Sequence, residues 1–155
     1  MKHISFFRVV FLSLLLLLAI TAWGAQAAML SIEGDNNNLR SGPGTKYKVL
    51  WELGQGFPLE VLKRTGAWYR VRDFEGAIGW VHGNAVGKTP HMIVKSNKNG
   101  PPINLYRDPA VKARVVAKAK YGVVLKTLEQ KKGWVRVQHE QGVTGWVKRS
   151  DLWGW

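Results

Sequence analysis

Asn38-Leu39-Arg40-Ser41-Gly42-Pro43-Gly44 opens, and Gly76-Ala77-Ile78-Gly79-Trp80-Val81 closes, a unit of sequence that occurs twice. Shifted by 66 residues, 38–86 superimposes on 104–152 without an insertion, and fifteen of the 49 pairs are identical. Among them are Trp68/Trp134, Trp80/Trp146, Gly56/Gly122, Gly76/Gly142 and Gly79/Gly145. Tryptophans and glycines kept in one register mark a duplicated supersecondary unit. The join falls in Gly87-Lys88-Thr89-Pro90.

Inside each copy the signals are short strands between Gly and Pro punctuation: Val49–Leu53, Leu59–Lys63, Trp68–Arg72 and Ala77–Val81 in the first. No stretch of 28–155 has a helical period. Strand spacing of about 8–12 residues predicts a small all-β barrel or sandwich, five strands to a copy, in which closure hides the sheet edges. The opening and closing motifs resemble those of the bacterial SH3-like (SH3b) domains of exported proteins. The second copy departs from the pattern at Tyr106-Arg107-Asp108 and recovers at Gly142–Val147. The resemblance implies two tandem SH3-like β-barrels, 28–87 and 91–155, and a cell-wall-targeting or peptide-binding role without an attached hydrolase.

The chain has 155 residues, no cysteine and a formal charge of +13. Disulfides, thiolate zinc sites and cysteine nucleophiles are thereby excluded. Residues 1–27 read as a signal peptide: Lys2 and Arg8, an apolar run from Val9 to Ile20, then Ala25-Gln26-Ala27. This run of twelve residues, broken only by Ser13, falls short of the roughly 20 that span a bilayer, so no stable span is expected after cleavage. The expected location is the periplasm, or secretion. Residues 28–87 carry +1 and 88–155 carry +10. Lys112, Arg114, Lys118, Lys120, Lys126, Lys131, Lys132, Lys148 and Arg149 form the candidate polyanion patch, against the plainer reading of a solvated, solubilising face.

In Trp68-Tyr69-Arg70-Val71-Arg72, period-two alternation sets Tyr69 and Val71 against Trp68, Arg70 and Arg72. Trp134, Arg136 and Gln138 oppose Val135 and Val137 in the same way. Arginine at mid-strand marks the wetter face, where an indole beside a guanidinium suits a sugar ring, a peptide or a polyanion. The alternative is that Trp68 and Trp134 lie half-buried beneath a loop. Trp80 and Trp146 are expected to pack against a loop or fill a barrel end. Leu39, Val49, Leu59, Val61 and Val71, with Leu105, Val115, Leu125 and Val137, are the expected core. Tyr47 and Trp51 are peculiar to the first copy, becoming Ala113 and Ala117 in the second. The terminal Leu152-Trp153-Gly154-Trp155 is too apolar for a free tail and should fold back or dock a partner.

No catalytic constellation is present. His82 and His139 do not recur across the repeat, no HxxxH spacing exists for a metal, and no serine sits in a G-x-S-x-G elbow. The expectation is a non-enzymatic exported binding protein without cofactor or metal. Its ligand would be peptidoglycan or another anionic envelope polymer. Candidate ligand residues are Tyr47, Trp51, Trp68, Arg70, Trp134, Arg136 and Lys132. The rival is an adaptor whose groove takes a peptide segment of an envelope protein. Export argues against nucleic acid.

Overall fold

The computed structural model describes residues 27–34 and 37–155, so the signal peptide read at 1–27 lies, but for Ala27, outside the described residues. Two antiparallel sheets of seven strands follow one another along the chain. The first holds β1 (Met29–Ile32), β2 (Asn38–Arg40), β3 (Val49–Glu52), β4 (Pro58–Thr65), β5 (Trp68–Arg72), β6 (Ile78–His82) and β7 (Val86–Gly87), in the order β3-β2-β6-β5-β4-β1-β7. The second holds β8 (His91–Val94), β9 (Ile103–Tyr106), β10 (Val115–Ala119), β11 (Val124–Lys131), β12 (Trp134–Gln138), β13 (Thr144–Lys148) and β14 (Leu152–Gly154), and repeats that order as β10-β9-β13-β12-β11-β8-β14. The protein is all-β, with two SH3-like units in tandem.

Each unit has two strands more than the sequence suggested. β1 pairs Met29 with Glu60, and β8 pairs His91 with Lys126, so these strands are equivalent at an offset of 62 rather than 66. Four extra residues between β8 and β9 break the repeat there, which hides the match from a gapless comparison. The terminal tail does fold back: β14 adds to β8, pairing Leu152 with Val94 and Gly154 with Met92.

The first core gathers Ile32, Leu39, Leu53, Leu59, Val71 and Val81. Its counterpart gathers Met92, Val94, Ile103, Leu105, Leu125, Val135, Val137, Val147 and Leu152, among others. Val49 and Val115, expected inside, are 41% and 40% exposed, and Val61 is only half-buried. β3 and β10 are edge strands, and a bulge between Leu39 and Arg40, and again between Val115 and Ala117, breaks the alternation that would have turned both valines inward.

Ser31 and Ile93 occupy the same outward position on β1 and β8, are 0% and 1% exposed, and belong to neither core. What buries them is the other unit. Trp155 Nε1 donates to Ser31 Oγ at 3.1 Å, and the His91 ring lies over Gly56, whose added Cβ would meet it at 2.8 Å. At the far side Phe74 meets Tyr121 at 5.3 Å between centroids. Glu75 there accepts from Lys98 Nζ at 2.5 Å and Tyr121 Oη at 2.7 Å.

Candidate binding faces

The outward face of the first sheet is assembled by register. Trp68 stands opposite His82 on β6 and Thr65 on β4. One row along, Arg40, Trp80, Arg70 and Lys63 line up across β2, β6, β5 and β4. Cross-strand neighbours on one face stand about 5 Å apart, close enough for aromatic and long cationic side chains to touch. Trp68 and His82 meet edge to face at 5.0 Å, and Lys63 Nζ lies 5.4 Å from the Trp80 ring. Trp80 is therefore part of the outer face, not a core or barrel-end filler; the buried residues of β6 are Gly79 and Val81. Alternation forces this, since Gly79 faces inward against Leu39.

Trp68 and His82 also wall a cleft of about 210 Å³, completed by Asn38, Arg40, Thr45 and Asn84. Arg40 donates through Nη1 to the carbonyls of Thr45 and Tyr47, both at 3.0 Å, and so fixes the β2–β3 loop as the cleft's rim. His82 Nδ1 accepts from the Asn84 amide at 3.2 Å, which orients the imidazole. Tyr47 supports this loop from outside, against Gly42 and with Lys46 Nζ 5.5 Å from its ring. Trp51 is 61% exposed on the edge strand and does not line the cleft. None of Asn38, Arg40, Thr45, His82 and Asn84 is a candidate ligand residue from the sequence, because only strand register reveals that they surround Trp68.

The second sheet repeats the layout with different chemistry. Lys131 and Lys148 flank Trp134 across β11 and β13, and Arg136 lies between Glu129 and Trp146. Tyr106 replaces Arg40, packs edge-on against Trp134 at 5.7 Å and receives a hydrogen bond from Asn104 at 3.3 Å. Trp134 is half-buried, as Trp68 is, but its edge partner is Tyr106 on β9 where that of Trp68 is His82 on β6.

The cationic set divides. Lys131, Lys132 and Lys148 share the Trp134 end of the sheet, with Lys132 in a left-handed turn at φ 42°. Lys112 and Arg114 stand on the β9–β10 loop and Lys126 on β11, all exposed. Lys118 and Lys120 lie at the opposite end of the barrel beside His139. Arg149 is no part of a free surface: its Nη atoms donate to the carbonyls of Leu152 and Gly154 at 2.9 and 3.0 Å, clamping β14. Among the described residues there is no cluster of three potential metal ligands, and no helix is long and apolar enough to cross a membrane.

Comparison with known families matches residues 33–87 and 99–154 to the bacterial SH3 domain. The chain belongs to the bacterial SH3 domain family. Its two SH3 units also align, at 25% identity over 136 residues, with YrvJ of Bacillus subtilis (strain 168), a protein bearing the name of an N-acetylmuramoyl-L-alanine amidase. The alignment covers 83% of this chain and 26% of that relative. Among solved structures, NlpC2 of Trichomonas vaginalis is matched at 12% identity and a TM-score of 0.36, covering 83% of this chain and 48% of the other. An NlpC/P60 family protein of Bacillus cereus is matched at 16% identity and a TM-score of 0.33, covering 81% and 56%.

Proposed function

We propose that this tandem SH3 protein is a non-enzymatic binding protein of the bacterial cell envelope, exported to the periplasm, whose ligand is peptidoglycan. The observation that carries the reading is the open Trp68–His82 cleft with Arg40 at its rim, followed in the next row by Arg70 and Trp80. An aromatic edge beside fixed guanidinium and amide donors suits a ligand with apolar sugar faces and anionic substituents. The amidase name of the aligned relative supports a wall ligand, since the part shared with this chain is its SH3 portion. In the second unit, Trp134 between Lys131 and Lys148 adds a more electrostatic contact.

The test is co-sedimentation of the protein with isolated peptidoglycan sacculi across a salt series. Pelleting that persists at high salt and falls when Trp68 is replaced by Ala is the expected result. Loss of pelleting at modest salt, with Trp68→Ala indistinguishable from wild type, overturns the reading and leaves nonspecific charge attraction.

A further inference from the structure

The β10 end of the second unit is a hollowed, charge-inverted version of the same end in the first. A cavity of about 260 Å³ opens there, walled by Leu105, Ala117, Ala119, Val123, Leu125 and Val143, with Lys118, Lys120, His139 and Gln141 around it. Each wall residue has a counterpart 66 positions earlier: Leu105 and Leu125 match Leu39 and Leu59, Val143 is larger than Ala77, and the other three are smaller. Leu53, 6% exposed in the first core, becomes Ala119; Phe57, packed on that core, becomes Val123; Trp51 becomes Ala117. Three truncated side chains on a repeated strand order leave the space. At the rim the first unit carries Glu52, Asp73 and Glu75, where the second carries Lys118, His139 and Gln141, and Gly54 becomes Lys120. Lys118 and Lys120 are exposed and, among the described residues, form no ion pair.

We infer that this cavity receives the free carboxyl terminus of a peptide whose last residues are small and aliphatic, the apolar side chain entering between Ala119 and Val123 and the carboxylate lying against Lys118 and Lys120. Charge selects an anion, and the walls select an apolar body attached to it. The cavity is smaller than the roughly 300 Å³ at which drug-sized sites begin, which fits a chain end rather than a folded surface or a lipid tail. Chain-end recognition by a carboxylate contact plus one side-chain pocket is a recurring way to read extended peptides. Asp73 explains why the first unit cannot share the site: its carboxylate is already engaged with the amides of Glu75 and Ala77, at 2.9 and 2.8 Å, and would repel a second one. The site lies at the opposite end of the second barrel from Trp134 and is independent of the outer faces, so it stands or falls separately from the sacculus-binding proposal.

The experiment is an NMR titration of the full chain with acetyl-Ala-Ala in its L,L and D,D forms, each as free acid and as terminal amide. Saturable shifts confined to 117–125 and 139–143 are expected, with the amide weaker by about tenfold, the worth of one charge-assisted contact. The preferred stereoisomer separates a protein chain end from a wall-type D-peptide. Ala119→Leu and Val123→Phe restore residues with which the first unit folds, and should abolish the shifts with the thermal midpoint kept. Lys118→Gln and Lys120→Gln should weaken binding several-fold and flatten its salt dependence. Equal binding of acid and amide, unchanged binding in Val123→Phe, or no saturable response to either stereoisomer overturns the inference. A response to anionic vesicles alone overturns it in favour of a lipid.

Discussion

Gly76 and Gly79 lie three residues apart and are required for different reasons. Gly76, at φ +90°, sits in the β5–β6 turn with nothing within 4 Å of an added Cβ. Only the left-handed backbone demands glycine, so Gly76→Ala should cost about 1 kcal/mol. At Gly79 the backbone is ordinary for strand, but a Cβ would stand 2.6 Å from Leu39 Cγ and 3.0 Å from the Arg40 carbonyl oxygen. Gly79→Ala must displace the core, at about 2–3 kcal/mol, and Arg40 with it. Denaturant midpoints of the two variants measure the difference; a larger loss in Gly76→Ala would contradict this assignment. The paired tryptophans separate only at the cleft. Each loses one edge contact on truncation, with His82 for Trp68 and with Tyr106 for Trp134, so Trp68→Ala and Trp134→Ala should each cost about 1 kcal/mol beyond the transfer of the buried indole surface, and only Trp68→Ala opens the cleft.

At the scale of strands, the edges decide what can be substituted. Leu39 is 1% exposed beneath Gly79, while Val49 on β3 is 41% exposed, although both were expected in the core. Leu39→Ala should therefore cost about 2–5 kcal/mol and Val49→Ala under about 1. Equal losses in a chemical unfolding curve would restore Val49 to the core. The error shows what the sequence conceals. Alternation places Val71, Val135 and Val137 correctly because β5 and β12 are central strands with regular ladders on the β6 and β13 side. It fails on β3 and β10, where a bulge adds a residue that no composition signal announces. The repeat located β2 to β6 and β9 to β13 through their shared glycines and tryptophans. β1 and β8 escaped because Met29–Ile32 and His91–Val94 are equivalent at another offset. The candidate cleft was legible only in Trp68; its partners sit 14 to 30 residues away and meet only through pairing across three strands.

At the scale of the molecule, the junction between the units combines a part without ionisable groups and a titratable part, and acid should separate them. Ser31, Ile93 and Trp155, with the indole-to-hydroxyl hydrogen bond, form the first part. The titratable part rests on two carboxylates of the first unit. Hydrogen bonds from Lys98 and then Tyr121 hold the Glu75 carboxyl below its ordinary value, and the Thr89 side chain and then its amide, the latter at 2.7 Å, do the same for Glu33. A carboxylate whose folded value is depressed contributes stability that is fully present above the unfolded value near 4.5 and is lost as pH falls through the lower, folded one. Lowering the pH below 4.5 and through the depressed folded value should therefore release Lys98 and Tyr121 from Glu75 while both cores, whose buried side chains are apolar, keep their strands. Tyr121 and Phe74 ring resonances should shift in that window, and amide protection of Val71, Val81, Val135 and Val147 should persist. Glu75→Gln should abolish the acid-induced shift of the Tyr121 ring, leaving the response of Glu33. A Tyr121 shift centred above 4.5, or simultaneous loss of protection in both sheets, would mean that these carboxylates are not what couples the two units.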